Sequence, residues 1–321
     1  MVETADYPGY ASYERIGTRP SVLTQEFPRP TFNEGDNYYQ PNRLLSPHFQ
    51  SEDEERRFGA ANFCTFLDDT IEVEHCLVVP AIVSLRRLPY DLPPQPKQDL
   101  YKTATDEGYH AEQALQFGSD LRQHFRFRSY EQYRAPLFLR RLDELRSHPS
   151  NTSYKDLITV LSGIVTETRI SVELGRFASD PTLAPSVREV CRTHAEDEVI
   201  HSSQFRALGR WLWESFDEGT KAAAAEFFVA STIARSIPDV DRIADMLHQS
   251  TNRSLKDSRL LVYSTYTEDV LIDEMTAEAQ ATVTFLRHLG VEDYSPFSLA
   301  VEGEREKLRI GLEARRKTLR S

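Results

Sequence analysis

The chain has 321 residues, 40% hydrophobic and 27% charged, an ordinary globular composition rather than a disordered one. Thirty-eight Lys and Arg against fifty Asp and Glu leave a net charge of −12, which excludes a general nucleic-acid or anionic-membrane binder. The longest largely apolar stretch, Cys76–Leu85, contains Pro80 and falls far short of the ~20 residues needed to span a bilayer. The first residues, MVETADYPGY, show neither the basic nor the apolar region of a secretory signal. Cys64, Cys76 and Cys191 form no CxxC pair, so a cytoplasmic protein without disulfides is expected.

Residues 1–53 hold many aromatics and, within the first fifty, six prolines, and read as an extended arm. From Glu54 onward apolar residues recur at steps of three and four, the helical period. Breaks at Pro89–Pro96, His148–Asn151, Asp180–Pro185, Ile237-Pro238 and Gly290 predict helices near 54–87, 98–127, 130–147, 153–179, 184–216, 219–235, 239–250 and 254–289. A short charged helix is expected near 300–318, with i, i+4 pairs facing solvent. No alternating strand pattern or internal repeat intervenes, so residues 54–321 are expected to form one all-α body.

Three of these helices carry ionisable groups in the middle of an apolar seam. The second reads Leu100, Thr103, Glu107, His110, Ala114, Phe117, Leu121. The fourth reads Leu157, Val160, Ile164, Glu167, Ser171, Leu174, and the fifth Val187, Cys191, His194, Glu198, His201, Phe205, Leu208. Burying such groups is costly unless something pairs them, and a pair of divalent metals would satisfy all of them. A lone Glu-x-x-His is more often a solvated pair than a metal site. Two of them, Glu107-x-x-His110 and Glu198-x-x-His201, separated by a seam carboxylate on a third helix, reverse that expectation. They match the two Glu-x-x-His motifs and two single glutamates of ferritin-like di-iron bundles. Glu167 supplies one single glutamate. For the other, Glu74 lies on the apolar frame Phe63, Leu67, Ile71, Val78, Ala81, and Glu72 on the more polar frame Thr65, Asp69, Cys76; we choose Glu74. His194, one turn before Glu198, is the seventh candidate, whereas His75, His124 and His288 have no such partners. The cysteines, Trp211 and Trp213 read as packing residues.

Taken together, Asp106-Glu107-Gly108-Tyr109-His110, Val165-Thr166-Glu167-Thr168 and His194-Ala195-Glu196-Asp197-Glu198-Val199-Ile200-His201 resemble the di-iron N-oxygenases typified by p-aminobenzoate N-oxygenase. Glu74, six residues before Pro80-Ala81, and the late Leu289–Asp293 segment extend the resemblance over about residues 60–295. Four glutamates with three histidines set that family apart from methane-oxidising and desaturase relatives, which have two. The resemblance implies a ferritin-like four-helix core with additional helices, two iron ions, O2 as co-substrate and an external electron donor. It assigns Glu74, Glu107 and His110 to one iron and Glu167, His194 and His201 to the other, with Glu107 and Glu198 bridging. Glu107, Glu198 and His194 would be the catalytic ligands.

The product would be a hydroxylamine, nitroso or nitro compound made in specialised-metabolite biosynthesis, by a homodimer served by a reductase or small reductant. No flavin or nicotinamide fingerprint is present in the chain. In the arylamine enzyme a Tyr and an Arg before the first ligand hold the substrate carboxylate. Phe66 and Asp69 occupy those positions here, beside Thr70, and Ser264–Leu286 contains no Lys or Arg to match a later Arg. An acid in the pocket would disfavour p-aminobenzoate and favour an aliphatic or carrier-bound amino-acid amine, the carrier meeting a basic patch near Arg140–Arg146. An arylamine N-oxygenase, a di-iron hydroxylase or desaturase, and an iron-storage bundle are the competing readings.

Overall fold

The computed structural model describes residues 30–33, 35–127 and 135–320. Residues 1–29 of the expected arm, and 130–134 of the expected third helix, lie outside the described residues. Among the described residues there is no strand; the protein is all-α with a ferritin-like core.

The core consists of helix α1 (Glu52–Val73), continued through a wide turn (Glu74–Val78) into α2 (Val79–Ser84), with α3 (Pro94–Phe125), α5 (Lys155–Ser179) and α6 (Pro185–Ser215). The long pair α5 and α6 lies side by side, α1 lies along α3, and α2 packs on α5. Around them stand α4 (Leu137–Ser147), α7 (Glu218–Ser236), α8 (Val240–Ser250), α9 (Leu255–Thr265), α10 (Glu268–Leu289) and α11 (Phe297–Arg320). No helix among the described residues is long and apolar enough to cross a membrane.

The helix starts follow cap chemistry. Ser51 accepts a hydrogen bond from the Glu54 amide, and Glu54 reaches back to the Gln50 amide, so α1 begins two residues before the hydrophobic period does. Pro94 and Pro96 open α3 rather than preceding it, because the amides of a first turn need no partner within the helix. The single helix expected over 254–289 is instead two. Thr267 turns the chain there, its side chain accepting from the Val270 amide, and acids fill the first turn of α10.

The wide turn at Glu74–Val78 has a chemical cause. Pro80 has no amide hydrogen for the Cys76 carbonyl, and the ladder shifts so that the Val79 amide bonds the Glu74 carbonyl five residues back. The turn therefore begins at the glutamate chosen from the seam. Close helix approach holds this segment in place. A Cβ at Gly163 of α5 would lie 2.5 Å from the Ala81 Cβ. Gly163→Leu is expected to push α2 off α5 and cost roughly 1–3 kcal/mol or more of stability, read as a lower urea midpoint.

The described residues of the arm clamp the bundle. The Asn37 carbonyl accepts from the Ala184 amide, Gln40 donates to Asp180, and Asn42 donates to the Tyr266 hydroxyl. Two expectations need correction. Cys76 is exposed, because it lies on the outer side of the wide turn, opposite buried Glu74 and Leu77. The charged last helix is not wholly solvated either: Glu304 is buried against Arg141, 2.6 Å away.

Candidate metal centre

The four core helices aim seven side chains at one point. Glu74 comes from the wide turn, Glu107 and His110 from α3, Glu167 from α5, and His194, Glu198 and His201 from α6. All seven are buried, the four glutamates completely. Glu72 faces away: it is partly exposed and accepts a hydrogen bond from Cys76. His75 and His288 are exposed, and His124 packs against Phe32 with ring centroids 5.0 Å apart, so none of them reaches the cluster.

The ligand atoms fall into two groups, each within 4.8 Å: Glu74, Glu107, His110, His194 and Glu198 in one, and Glu107, Glu167, Glu198 and His201 in the other. Glu107 and Glu198 belong to both. His194 stands with Glu74 and His110 rather than with Glu167 and His201, unlike the division the resemblance implied. Its Nε2 is 3.8 Å from Glu74, and its ring centroid is 3.8 Å from that of His110. The reason lies in the register of α6: His194 precedes Glu198 by one turn and His201 follows it by nearly one, so the two flank it on opposite sides.

Helices α3 and α6 orient each other's histidines. His110 Nδ1 faces Glu107 at 2.9 Å while its Nε2 meets Asp197 of α6 at 3.1 Å. His201 Nδ1 faces Glu198 at 3.1 Å and Glu107 at 3.0 Å, while its Nε2 meets Asp106 of α3 at 3.4 Å. A carboxylate behind each imidazole fixes ring and tautomer and raises basicity, as metal-bound histidines require.

The electrostatics show what the cluster lacks. Burial, reinforced by neighbouring carboxylates, raises the Glu74 and Glu167 carboxyls well above the usual range. Both oxygens of Glu74, both of Glu167 and Oε2 of Glu198 are buried without a hydrogen-bond partner. Burial opposes a charged His110, but the hydrogen bonds to Asp197 and Glu107 and the surrounding negative charge raise it to about 9. Burial and His110 together depress His194. Orphaned carboxylate oxygens are expensive in protein alone and are what cations take up. Four carboxylates balance two divalent ions, and an oxygen-rich set with imidazoles suits iron. The donor set fits a dinuclear iron site.

Phe66, Asp69 and Thr70 line a cavity of about 650 Å³ beneath this cluster, between α1, α5, α7, α8 and α10. Thr70 is one turn from Glu74, and Phe66 stacks on Phe63 at 5.7 Å and packs against Phe177. Asp69 does not present a free acid. Arg242 of α8 is ion-paired with it, so a substrate carboxylate would meet no net repulsion from this residue. The cavity also carries Arg169, Arg176, Arg235 and Glu274, none of which the sequence reading singled out. Arg235 sits in the last turn of a helix, where a basic residue reads as a partner for the helix dipole. The basic patch near Arg140–Arg146 is not free either: Arg140 pairs with Asp239, Arg141 with Glu304 and Arg146 with Asp143.

A search of curated proteins returns no significant match. The family model described as p-aminobenzoate N-oxygenase AurF matches residues 40–254, about two thirds of the chain and the stretch that contains all seven buried ligand candidates. By that match the chain belongs to the p-aminobenzoate N-oxygenase AurF family.

Proposed function

We propose that the protein is an O2-dependent amine N-oxygenase in which Glu74, Glu107, His110, Glu167, His194, Glu198 and His201 hold two iron ions. Glu107 and Glu198 would help to hold both ions, with His110 and His194 on the Glu74 side and His201 on the Glu167 side. The observation that carries this reading is the burial of four glutamates and three histidines in two overlapping groups. When bound, an iron pair supplies the reduction of O2 and the transfer of one oxygen atom. The overall reaction takes a primary amine, O2, two electrons and two protons to a hydroxylamine and water. The electrons come from an external carrier, because no flavin or nicotinamide motif is present.

The protein's own groups set the stage for this step. Asp106 and Asp197 fix the imidazoles, while Phe66 and Phe177 line the cavity below the cluster. The substrate nitrogen enters from that cavity as the neutral amine, since only its lone pair can accept oxygen. We infer an aliphatic amine, and the pairing of Arg140, Arg141 and Arg146 removes the basic surface that would have favoured a carrier-bound one.

The test is mass spectrometry of products after the iron(II)-loaded protein meets labelled O2, a reductant and a panel of amines. Incorporation of one labelled oxygen on nitrogen is expected. Oxygen on carbon, or a new double bond, would place the protein with the hydroxylases or desaturases. In the same assay His194→Ala should keep iron more weakly, since six ligands remain, yet lose at least about tenfold in rate. Wild-type turnover by that variant would leave His194 as packing.

A further inference from the structure

Among the charged groups of the cavity, most are already matched. Asp69 pairs with Arg242, Asp239 with Arg140, and Arg169 with both Glu278 and Glu173. Two are not. Arg235 lies over the Phe138 ring at 4.6 Å, its Nε is sealed away without a hydrogen-bond partner, and no carboxylate among the described residues pairs with it. Glu274 of α10 has neither an ion-pair nor a hydrogen-bond partner among the described residues, and burial beside Glu278 pushes its carboxyl up to about 7. Inward of the exposed Arg43 and Arg176, one cation and one anion therefore face the same space unpaired, the state that a bound ligand of opposite charges would relieve.

Their order along the cavity follows from contacts. Arg169, two residues after Glu167, donates to the Arg235 carbonyl at 2.7 Å, which puts Arg235 beside the level of the cluster. Burial and the Arg169 charge ease the Arg235 proton off, and the charges of Asp69 and Glu74 are felt there too. Thr282 of α10 meets Thr168 at 3.1 Å, next to Glu167. Glu274 is eight residues before Thr282, about 12 Å further along the helix. The cavity thus runs from Thr70 and Ile170, about one turn from Glu74 and Glu167, past Arg235 to Glu274.

We propose that this cavity takes a basic amino acid, with its α-amine toward the cluster, its carboxylate on Arg235 and its remote cationic group on Glu274. The reacting nitrogen must be neutral, and it lies next to the carboxylate that Arg235 holds. The remote ammonium stays charged because Glu274 receives it. A space of about 650 Å³ is within the range of small-molecule sites and accommodates such a chain. The proposal rests on the amine N-oxygenase reading for the nature of the reacting group.

The test is anaerobic calorimetric binding to the full, iron-loaded chain with four probes: L-lysine, L-norleucine, L-lysinamide and 4-aminobenzoate. L-lysine should bind at least about tenfold tighter than L-norleucine, which lacks the remote cation, and than L-lysinamide, which lacks the carboxylate. Arg235→Gln should abolish the preference over L-lysinamide and keep that over L-norleucine. Glu274→Gln should do the reverse, and Arg235→Lys should retain both, with iron content unchanged throughout. Equal binding of lysine and norleucine, equal binding of lysine and lysinamide, tighter binding of 4-aminobenzoate, or no binding of lysine would each overturn the proposal. The comparison of probes on the unsubstituted protein decides even where a variant fails to fold. N-Hydroxylation of some other amine by a protein without this preference would sink the proposal alone. Lysine selectivity with no N-oxygenated product from any amine would sink the N-oxygenase reading instead.

Discussion

Alanine at Glu198 or Glu107 is expected to empty the protein of both iron ions, whereas alanine at Glu72 should leave about two per chain. The two groups of candidate ligands share only Glu107 and Glu198, so each substitution takes a donor from both sides at once. It also removes the partner of an imidazole: Glu198 lies 3.1 Å from both His194 and His201, and Glu107 lies 2.9 Å from His110. Glu72 is partly exposed with a thiol for a neighbour, and its loss touches neither group. Metal analysis after reconstitution and desalting reads the outcome directly. Retained iron in Glu74→Ala together with lost iron in Glu72→Ala would show that the other register of the first helix faces the metals. Because each change also leaves a buried imidazole without its carboxylate, the metal-free variants should be less stable than metal-free wild type, and circular dichroism separates lost metal from lost fold.

Why the cluster was legible in the sequence is a matter of period. A helix buries one stripe, and a stripe interrupted by Glu or His at matching depth on three helices has few explanations other than a buried ion. The placement of Glu74 followed from the same stripe, even though the wide turn that begins at it did not. Pro80 was visible and its missing amide was a known defect, but whether a helix kinks, ends or widens at proline depends on what packs around it. Here Gly163 lets α2 lie close enough to α5 to keep the chain helical through the defect. The cap at Thr267 was written in the sequence as Thr followed by two acids, and the apolar period running across it concealed the break.

The cavity was much less legible, for a different reason. Phe66, Asp69 and Thr70 could be placed by counting back from Glu74 along one helix, but the groups opposite them come from α7, α8 and α10, whose packing no local pattern encodes. Asp69 read alone is an acid in a pocket; with Arg242 arriving from 173 residues away it is half of an ion pair. Ser264–Leu286, without Lys or Arg, supplies one wall, while the arginines stand on others. Side chains that meet only through tertiary packing leave no spacing signature, and charge complementarity in a site must be counted after the fold is known. The assignment of His194 shows the same limit on a smaller scale. Its place on the α6 seam was clear, but which carboxylates it stands beside depends on how the wide turn brings Glu74 toward it.

Removal of iron should make the protein's stability fall as pH rises from about 6.5 to 9, while the iron-loaded form holds or gains. In the metal-free cluster His110 keeps its proton to about 9, against 6.5 when the chain is unfolded. Between those values the folded state carries a proton that the unfolded state has lost, so the stabilisation present below 6.5 disappears by about 1.4 kcal/mol per pH unit. Over this window that amounts to roughly 3 kcal/mol for His110 alone. His201, raised well above its ordinary value by Glu107 and Glu198 against the opposing effect of burial, acts in the same sense. So do Glu74 and Glu167, which burial keeps protonated above the pH at which an unfolded glutamate ionises. Glu107 and Glu198 are held low, mainly by His201 acting against burial, and their contribution is already complete above pH 4.5. His194, also held low, changes little in the window, because its unfolded form is losing its proton at the lower edge. Iron reverses the sign, since every ligand must be deprotonated to bind it and affinity grows as protons leave. Urea unfolding of both forms at pH 6.5 and pH 9 measures the difference. A metal-free protein equally stable at the two values would mean that these seven side chains do not share protons in the way their distances require, and that something other than iron neutralises them.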